Sequence, residues 1–308
     1  MIRYVKHSEI DFLKWDACVK ASPNGLMYAF SWYLNIVAGE WDAFVEGDYE
    51  SVFPFFPKRK FGISYHIPPV WTQQLGLFSK NLLTPEKSLE FINQAVKKVK
   101  WFHMNLNSLQ KLPKQYGIQV TENMNYVLEL MSDYETIIKG YAENHRRNLK
   151  KEIEELSITT SVDHEEVIRL FRANKGTTVH VLNDEAYRKL NQLIYYARSI
   201  HVAEMYGVYD KTNTLLAGAV FFKVSNRSIM LFSAISEEGR KNSAMHHLMN
   251  EYIRENAGTN IILDFEGSND ANLGRFYKGF GAVNSPYLSV FQNRLPVPSG
   301  LIRFFRRK

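Results

Sequence analysis

Asp264, Glu266, Tyr277 and Lys278 fall within one short stretch of the chain. The run Ile261-Ile262-Leu263-Asp264-Phe265-Glu266 is apolar and ends in two acids spaced i and i+2. A strand would put both on one face. The turn Gly267-Ser268-Asn269-Asp270 follows, then a short helical segment ending Phe276-Tyr277-Lys278-Gly279-Phe280-Gly281. Such a turn aims a helix N-terminus back at the strand end. These residue types suit acyl transfer to an amine. A carboxylate holds or deprotonates the amine, a phenol protonates the leaving group, and a lysine stabilises the tetrahedral oxyanion. The plainer alternative is structural: acids that satisfy backbone amides, a buried aromatic and a solvated lysine.

A second set of residues is basic. Arg146 lies four residues before Lys150, and Arg147 four before Lys151, so a helix gathers all four on one broad face. That face suits phosphate, or ordinary ion pairs with Glu152, Glu154 and Glu155. His246-His247 has no acid or cysteine at metal spacing and is expected as a packed or surface pair, so no metal site is expected. Cys18 is the single cysteine, which excludes an intrachain disulfide. No nucleophile elbow, Walker loop or dinucleotide fingerprint is present.

The elements that must position these residues repeat in order. The 308 residues suit two domains, and a hydrophobic share of 45% suits substantial cores. The first half reads as strand 3–7, helices 8–21 and 28–38, strands near 41–46, 50–57, 61–66 and 70–78, a helix opened by Thr84-Pro85-Glu86, and strands at 101–107 and 124–131. The second reads as helix 183–199, strands 202–210, 214–224 and 227–235, helix 241–257, the strand ending at Asp264, helix 270–279, and a last strand 283–293. The expected layout is a first domain over 1–131, a charged helical connector over 132–156 opened by Ser132-Asp133-Tyr134-Glu135, and a second domain over 157–308. The start lacks a signal-peptide core and no stretch is apolar enough for a membrane helix, so a cytosolic protein is expected. The net charge of +6 is modest, and its location matters more than its sum. The tail Leu301-Ile302-Arg303-Phe304-Phe305-Arg306-Arg307-Lys308 suits either peripheral membrane contact or packing on the second domain.

Taken together, four segments resemble the FemABX-type transferases and the GCN5-related (GNAT) acyltransferases. They are Tyr141 with Arg146-Arg147-Asn148-Leu149-Lys150-Lys151, Tyr206-Gly207-Val208-Tyr209, Asp264-Phe265-Glu266-Gly267-Ser268, and Phe276 with Gly279-Phe280-Gly281. Thr72-Gln73-Gln74-Leu75-Gly76 is similar to a segment of bacterial relatives of that group. The resemblance implies a mixed α/β fold with two tandem GNAT-like domains. Each would be a mainly antiparallel sheet flanked by helices, with a cleft between the two. It implies transfer of an acyl or aminoacyl group to an amine. The donor would be aminoacyl-tRNA or acyl-coenzyme A, with no permanently bound cofactor. The acceptor would bear an amine, a peptidoglycan precursor among the candidates, and no DNA is expected as a partner. It also implies that Arg240, Lys241, Asn242 and Ser243 stand where GNAT enzymes hold a pyrophosphate.

Three departures are visible. The glycine-rich pyrophosphate loop is replaced by Glu238-Gly239-Arg240-Lys241-Asn242-Ser243. Tyr277 stands where FemABX proteins place lysine, and Lys278 comes one residue later. The long coiled-coil insertion that some relatives use for tRNA is missing. A catalytically silent binding module on the same fold is the alternative from another class.

Overall fold

Thr84-Pro85 opens a helix for the reasons the sequence suggests. The Thr84 hydroxyl accepts a hydrogen bond from the Lys87 N–H at 3.2 Å. Pro85 puts its missing N–H where a helix has no internal partner for one. The computed structural model describes residues 1–113, 117–150, 156–178, 182–267 and 269–295.

In chain order the elements are β1 (Ile2–Val5), α1 (Phe12–Ala21), α2 (Ser31–Ala38), β2 (Asp42–Glu46), β3 (Ser51–Phe55), β4 (Pro57–Lys60), β5 (Ile63–His66), β6 (Phe78–Ser79), α3 (Pro85–Lys98), β7 (Trp101–Asn105), β8 (Gln119–Asn123) and β9 (Tyr126–Glu129). Then come α4 (Tyr134–Lys139), α5 (Glu143–Leu149), β10 (Leu156–Thr159), α6 (His164–Ala173), α7 (Asp184–Ser199), β11 (Ala203–Asp210), β12 (Leu215–Val224) and β13 (Arg227–Ile235). The chain continues with α8 (Glu237–Lys241), α9 (Ala244–Asn256), β14 (Ile262–Asp264), α10 (Ala271–Gly279), β15 (Val283–Asn284) and β16 (Tyr287–Asn293). No helix among the described residues is long and apolar enough to cross a membrane.

Internal contacts divide the chain into two units. The first takes Met1–Met124 and the described residues from Ser285 on; the second takes Asn125–Asn284. The first unit holds a four-stranded sheet ordered β1-β2-β3-β6 and a five-stranded sheet ordered β4-β5-β7-β16-β8. Its core is aromatic: Trp15, Trp41, Phe53, Phe55, Phe91 and Phe102 are buried. The second unit holds one seven-stranded sheet ordered β10-β11-β12-β13-β14-β9-β15. Parallel ladders occur at β5–β7 and β13–β14 among the described strands, and the other ladders are antiparallel. The fold is therefore mixed α/β, with mainly antiparallel sheets flanked by helices.

The patterning accounts for these placements. In α7 the buried residues Tyr187, Leu190, Ile194 and Ala197 keep helical spacing. β12 is buried continuously from Leu215 to Phe222, as a strand covered on both faces must be.

Several expectations change. The strand expected over 70–78 shortens to Phe78–Ser79. Before it the backbone is pinned by side chains, with Gln110 Oε1 accepting from the Leu77 N–H at 3.0 Å. The helix expected over 241–257 breaks at Ser243, whose φ is 56°. α6, β8 and β10 are not anticipated. The strand expected over 283–293 is interrupted at Ser285-Pro286, and its two parts enter different sheets. Pro286 has no N–H to continue a ladder. The expected domain limits shift accordingly. β9 pairs with β14 and β15 in the second unit, while β16 lies between β7 and β8 in the first.

Candidate functional site

The second unit gathers its chemistry where two parallel strands part. β13 and β14 pair over Arg227–Ile229 and Ile262–Asp264. Beyond that β14 ends, while β13 runs on to Ile235. Asp264 stands at the fork, 2% exposed. Arg227 bridges to one of its oxygens. The other accepts from Asn125 Nδ2 at 3.1 Å and from the Glu266 N–H at 2.9 Å. Both oxygens of this carboxylate are thus engaged, and its place is structural: it ties β13, β14 and the turn together.

Glu266 does not continue the strand. Its φ is 58°, so the alternation expected to put it beside Asp264 ends one residue after β14. The half-buried Glu266 still acts on Tyr277 through its charge. Burial first, then the charges of Glu266, Asp264 and Asp270, hold the Tyr277 phenol well above its usual range. That phenol remains protonated at neutral pH, the state a proton donor needs.

α10 presents Tyr277 from its inner face. Asp270 caps the helix, accepting from the Asn272 N–H at 2.8 Å and the Leu273 N–H at 3.4 Å. The donors expected to point back at the strand end are therefore shared with this carboxylate. Tyr277 stacks on Phe265 with ring centroids 4.9 Å apart. Lys278 is one residue further, about 100° round the helix, and is exposed; its ammonium lies 5.7 Å from the centre of the Tyr126 ring. Asp264 and Glu266 thus act on Tyr277 through their charges, and Lys278 is exposed over Tyr126, whose ring lies 5.9 Å from that of Tyr277.

Gly279 lets another element close on α10. A Cβ there would lie 2.0 Å from the His145 ring. His145, in α5, is buried, and its Nε2 lies 2.9 Å from the Phe276 carbonyl oxygen. Burial holds its pKa below the ordinary value. The neutral ring therefore donates through Nε2–H to that carbonyl. Its ring lies 4.6 Å from that of His246 in α9, and His246 Nε2 lies 3.2 Å from Asn148 Nδ2.

These contacts pack α5 against α9, the helix that follows the second expected phosphate-binding group. Arg146, Arg147 and Lys150 are exposed on and beside α5. Arg146 also donates to the Lys139 carbonyl at 3.1 Å. Lys151 lies outside the described residues, as do Glu152, Glu154 and Glu155. Arg240 and Lys241 close α8, Asn242 follows, and Ser243 is the buried residue before α9. Lys241 and Asn242 reach Glu238 at 3.2 and 3.3 Å. Ser243 makes no side-chain cap. The roles of Arg227, Asn125, His145 and Asn148 were not anticipated; the signal that could have found the close neighbour of α10 is its pair of glycines, Gly274 and Gly279.

The remaining resemblance segments are structural. Tyr206 donates to Glu255, and Tyr209 donates to Glu166 at 2.7 Å. His247 and Cys18 are buried, as a packed pair and a buried thiol would be.

Solved structures share this fold. FemX superposes over 96% of this chain and 98% of its own at a TM-score of 0.62 with 15% identity. A GNAT-family acetyltransferase from Colwellia psychrerythraea does so over 94% and 98% at 0.52 with 14% identity. L-PGS from Bacillus licheniformis does so over 89% and 91% at 0.51 with 10% identity. The chain has the fold of the FemABX and GNAT acyltransferases. No family model matches the chain, and no curated protein matches it.

Proposed function

We propose that the protein is an N-acyltransferase that moves an acyl or aminoacyl group to an amine. The observation that carries this is Tyr277, a buried phenol stacked on Phe265 just past the end of β14 and within the field of Glu266. A neutral amine attacks the carbonyl carbon of an ester or thioester, forming the C–N bond and a tetrahedral oxyanion. The oxyanion collapses, and the bond to the leaving oxygen or sulfur breaks. Tyr277 O–H supplies the proton the leaving group takes up, and Glu266 holds or accepts the proton the amine loses. Asp264, held by Arg227 and Asn125, positions the turn that carries Glu266.

The basic surface of α5 and the α8–α9 turn supports a phosphate-bearing donor, either aminoacyl-tRNA or acyl-coenzyme A. The acceptor is an amine, with a peptidoglycan precursor as the first to test. Thermal unfolding of the protein with acetyl-coenzyme A, tRNA and a UDP-linked muropeptide in parallel tests the proposal. A true ligand at a hundred times its Kd stabilises by about 2.7 kcal/mol. Stabilisation by none of the three would favour a silent binding module on this fold.

A further inference from the structure

The β4–β5 hairpin of the first unit breaks a local rule. Its two-residue loop is Phe61-Gly62, with φ of 49° and 76°, the left-handed pair of a type I′ turn. That turn favours Asn-Gly or Asp-Gly, and a phenylalanine there is strained by its Cβ. Folding gains little in return, because Phe61 is 84% exposed. An exposed, strained ring at a loop tip points to something outside the chain.

Its surroundings define the chemistry. Lys58, Arg59 and Lys60 lead into the loop, and the Lys60 ammonium lies 5.6 Å from the centre of the Phe61 ring. Tyr65 of β5 pairs with Trp101 at the start of β7. The loop therefore stands four residues, about 13 Å, beyond that strand end. Lys97 and Lys98 close α3 just before the same edge. The Lys100 N–H donates to the Ser64 carbonyl at 2.9 Å, and the Arg294 N–H donates to the Lys100 carbonyl at 2.8 Å as the chain leaves β16. Negative charge is missing. Residues 51–85, 91–121 and 271–308 contain no Asp or Glu, so within the five-stranded sheet only β8 carries an acid, Glu122.

Phosphate is the shared target of such a surface, and the single ring decides its source. Phe61 has no polar atom to read a base edge, and single-strand nucleic-acid platforms stack several rings in succession. One apolar ring among cations suits the interface of an anionic bilayer, with the ring at the acyl boundary and the cations at the headgroups. We propose that the β4–β5 tip docks the first unit on an anionic lipid surface, with Phe61 inserted and Lys58, Arg59, Lys60, Lys97 and Lys100 near lipid phosphates.

The test is co-sedimentation of the full chain with vesicles of phosphatidylglycerol mixed with phosphatidylcholine, and with phosphatidylcholine alone. The protein should sediment with the mixed vesicles and not with the neutral ones. Phe61→Asn, which tolerates the left-handed backbone, should lower the partition coefficient by about tenfold with Tm unchanged or raised. Phe61→Trp should retain binding. Lys58→Gln and Lys60→Gln should each cost about fivefold. Wild-type binding by Phe61→Asn overturns the proposal. So does loss of binding only on deletion of 296–308, which would assign the contact to the tail. Binding of tRNA through Phe61 with no vesicle binding overturns it in favour of a nucleic-acid partner.

Discussion

Tyr277 differs from the other candidate residues because its environment fixes its protonation state. Burial and the nearby acids raise the phenol pKa. As a general acid it stays protonated through neutral and mildly alkaline pH, and this group should produce no alkaline fall in kcat below about pH 10. Tyr277→Phe should lower kcat by about 10²-fold with KM little changed. A kcat within twofold of the parent would return Tyr277 to a packing role. Glu266→Gln removes one of the charges that raise the phenol, so an alkaline limb in the pH–rate profile should move to lower pH. Arg227 invites a stability test. Arg227→Met leaves the buried Asp264 carboxylate without its cation and should destabilise the fold by about 3 kcal/mol, read from chemical denaturation. The acids, phenol and turn were legible in the chain because they lie close together. Arg227, 37 residues before Asp264, was not, since only β13–β14 pairing brings it there.

At the scale of elements, strongly periodic segments were legible and broken ones were not. α3 and α7 follow from their caps and apolar spacing. The short β10 and β8 leave weak patterns, and the break at Ser243 rests on a backbone angle that serine does not advertise. The meeting of α5 with α9 and α10 depends on Gly279, and Gly279→Ala should cost about 1–3 kcal/mol by driving a methyl into His145. In the first unit, β5 is stitched to its neighbours by His66. This ring is fully buried, stacks between Phe55 and Phe102 at 5.0 and 4.6 Å, and has Nδ1 3.0 Å from the His103 carbonyl. Burial lowers its pKa to about 3. The unfolded chain protonates near pH 6.5 while the folded ring stays neutral, so stability falls as pH drops below that value. The loss should reach about 2 kcal/mol between pH 7.5 and 5. His145, lowered for the same reason, adds in the same direction. Denaturation curves at the two pH values should show this difference, and His66→Phe should shrink it.

For the molecule as a whole, the nature of the donor sets the salt dependence. If tRNA is the donor, log–log plots of affinity against salt should slope by about −0.7 to −0.9 per phosphate neutralised. Alanine at Arg146 and Arg147 should flatten that slope by about one to two units, and an unchanged slope would favour a small-molecule donor. The chain also has an order of completion that follows from its strand exchange. β16 lies between β7 and β8, and in the described sheet β8 pairs with β16 alone. The first unit therefore waits for residues 285–293, while the second is complete once residue 284 has been made. During synthesis, at about 5–20 residues per second, the N-terminal segment stands unfinished for roughly ten to thirty seconds. Throughout that time β7 offers an uncovered edge. The segment made first is thus the last to close, and a released chain truncated after residue 284 should hold a protease-resistant second unit behind a cleavable N-terminal half.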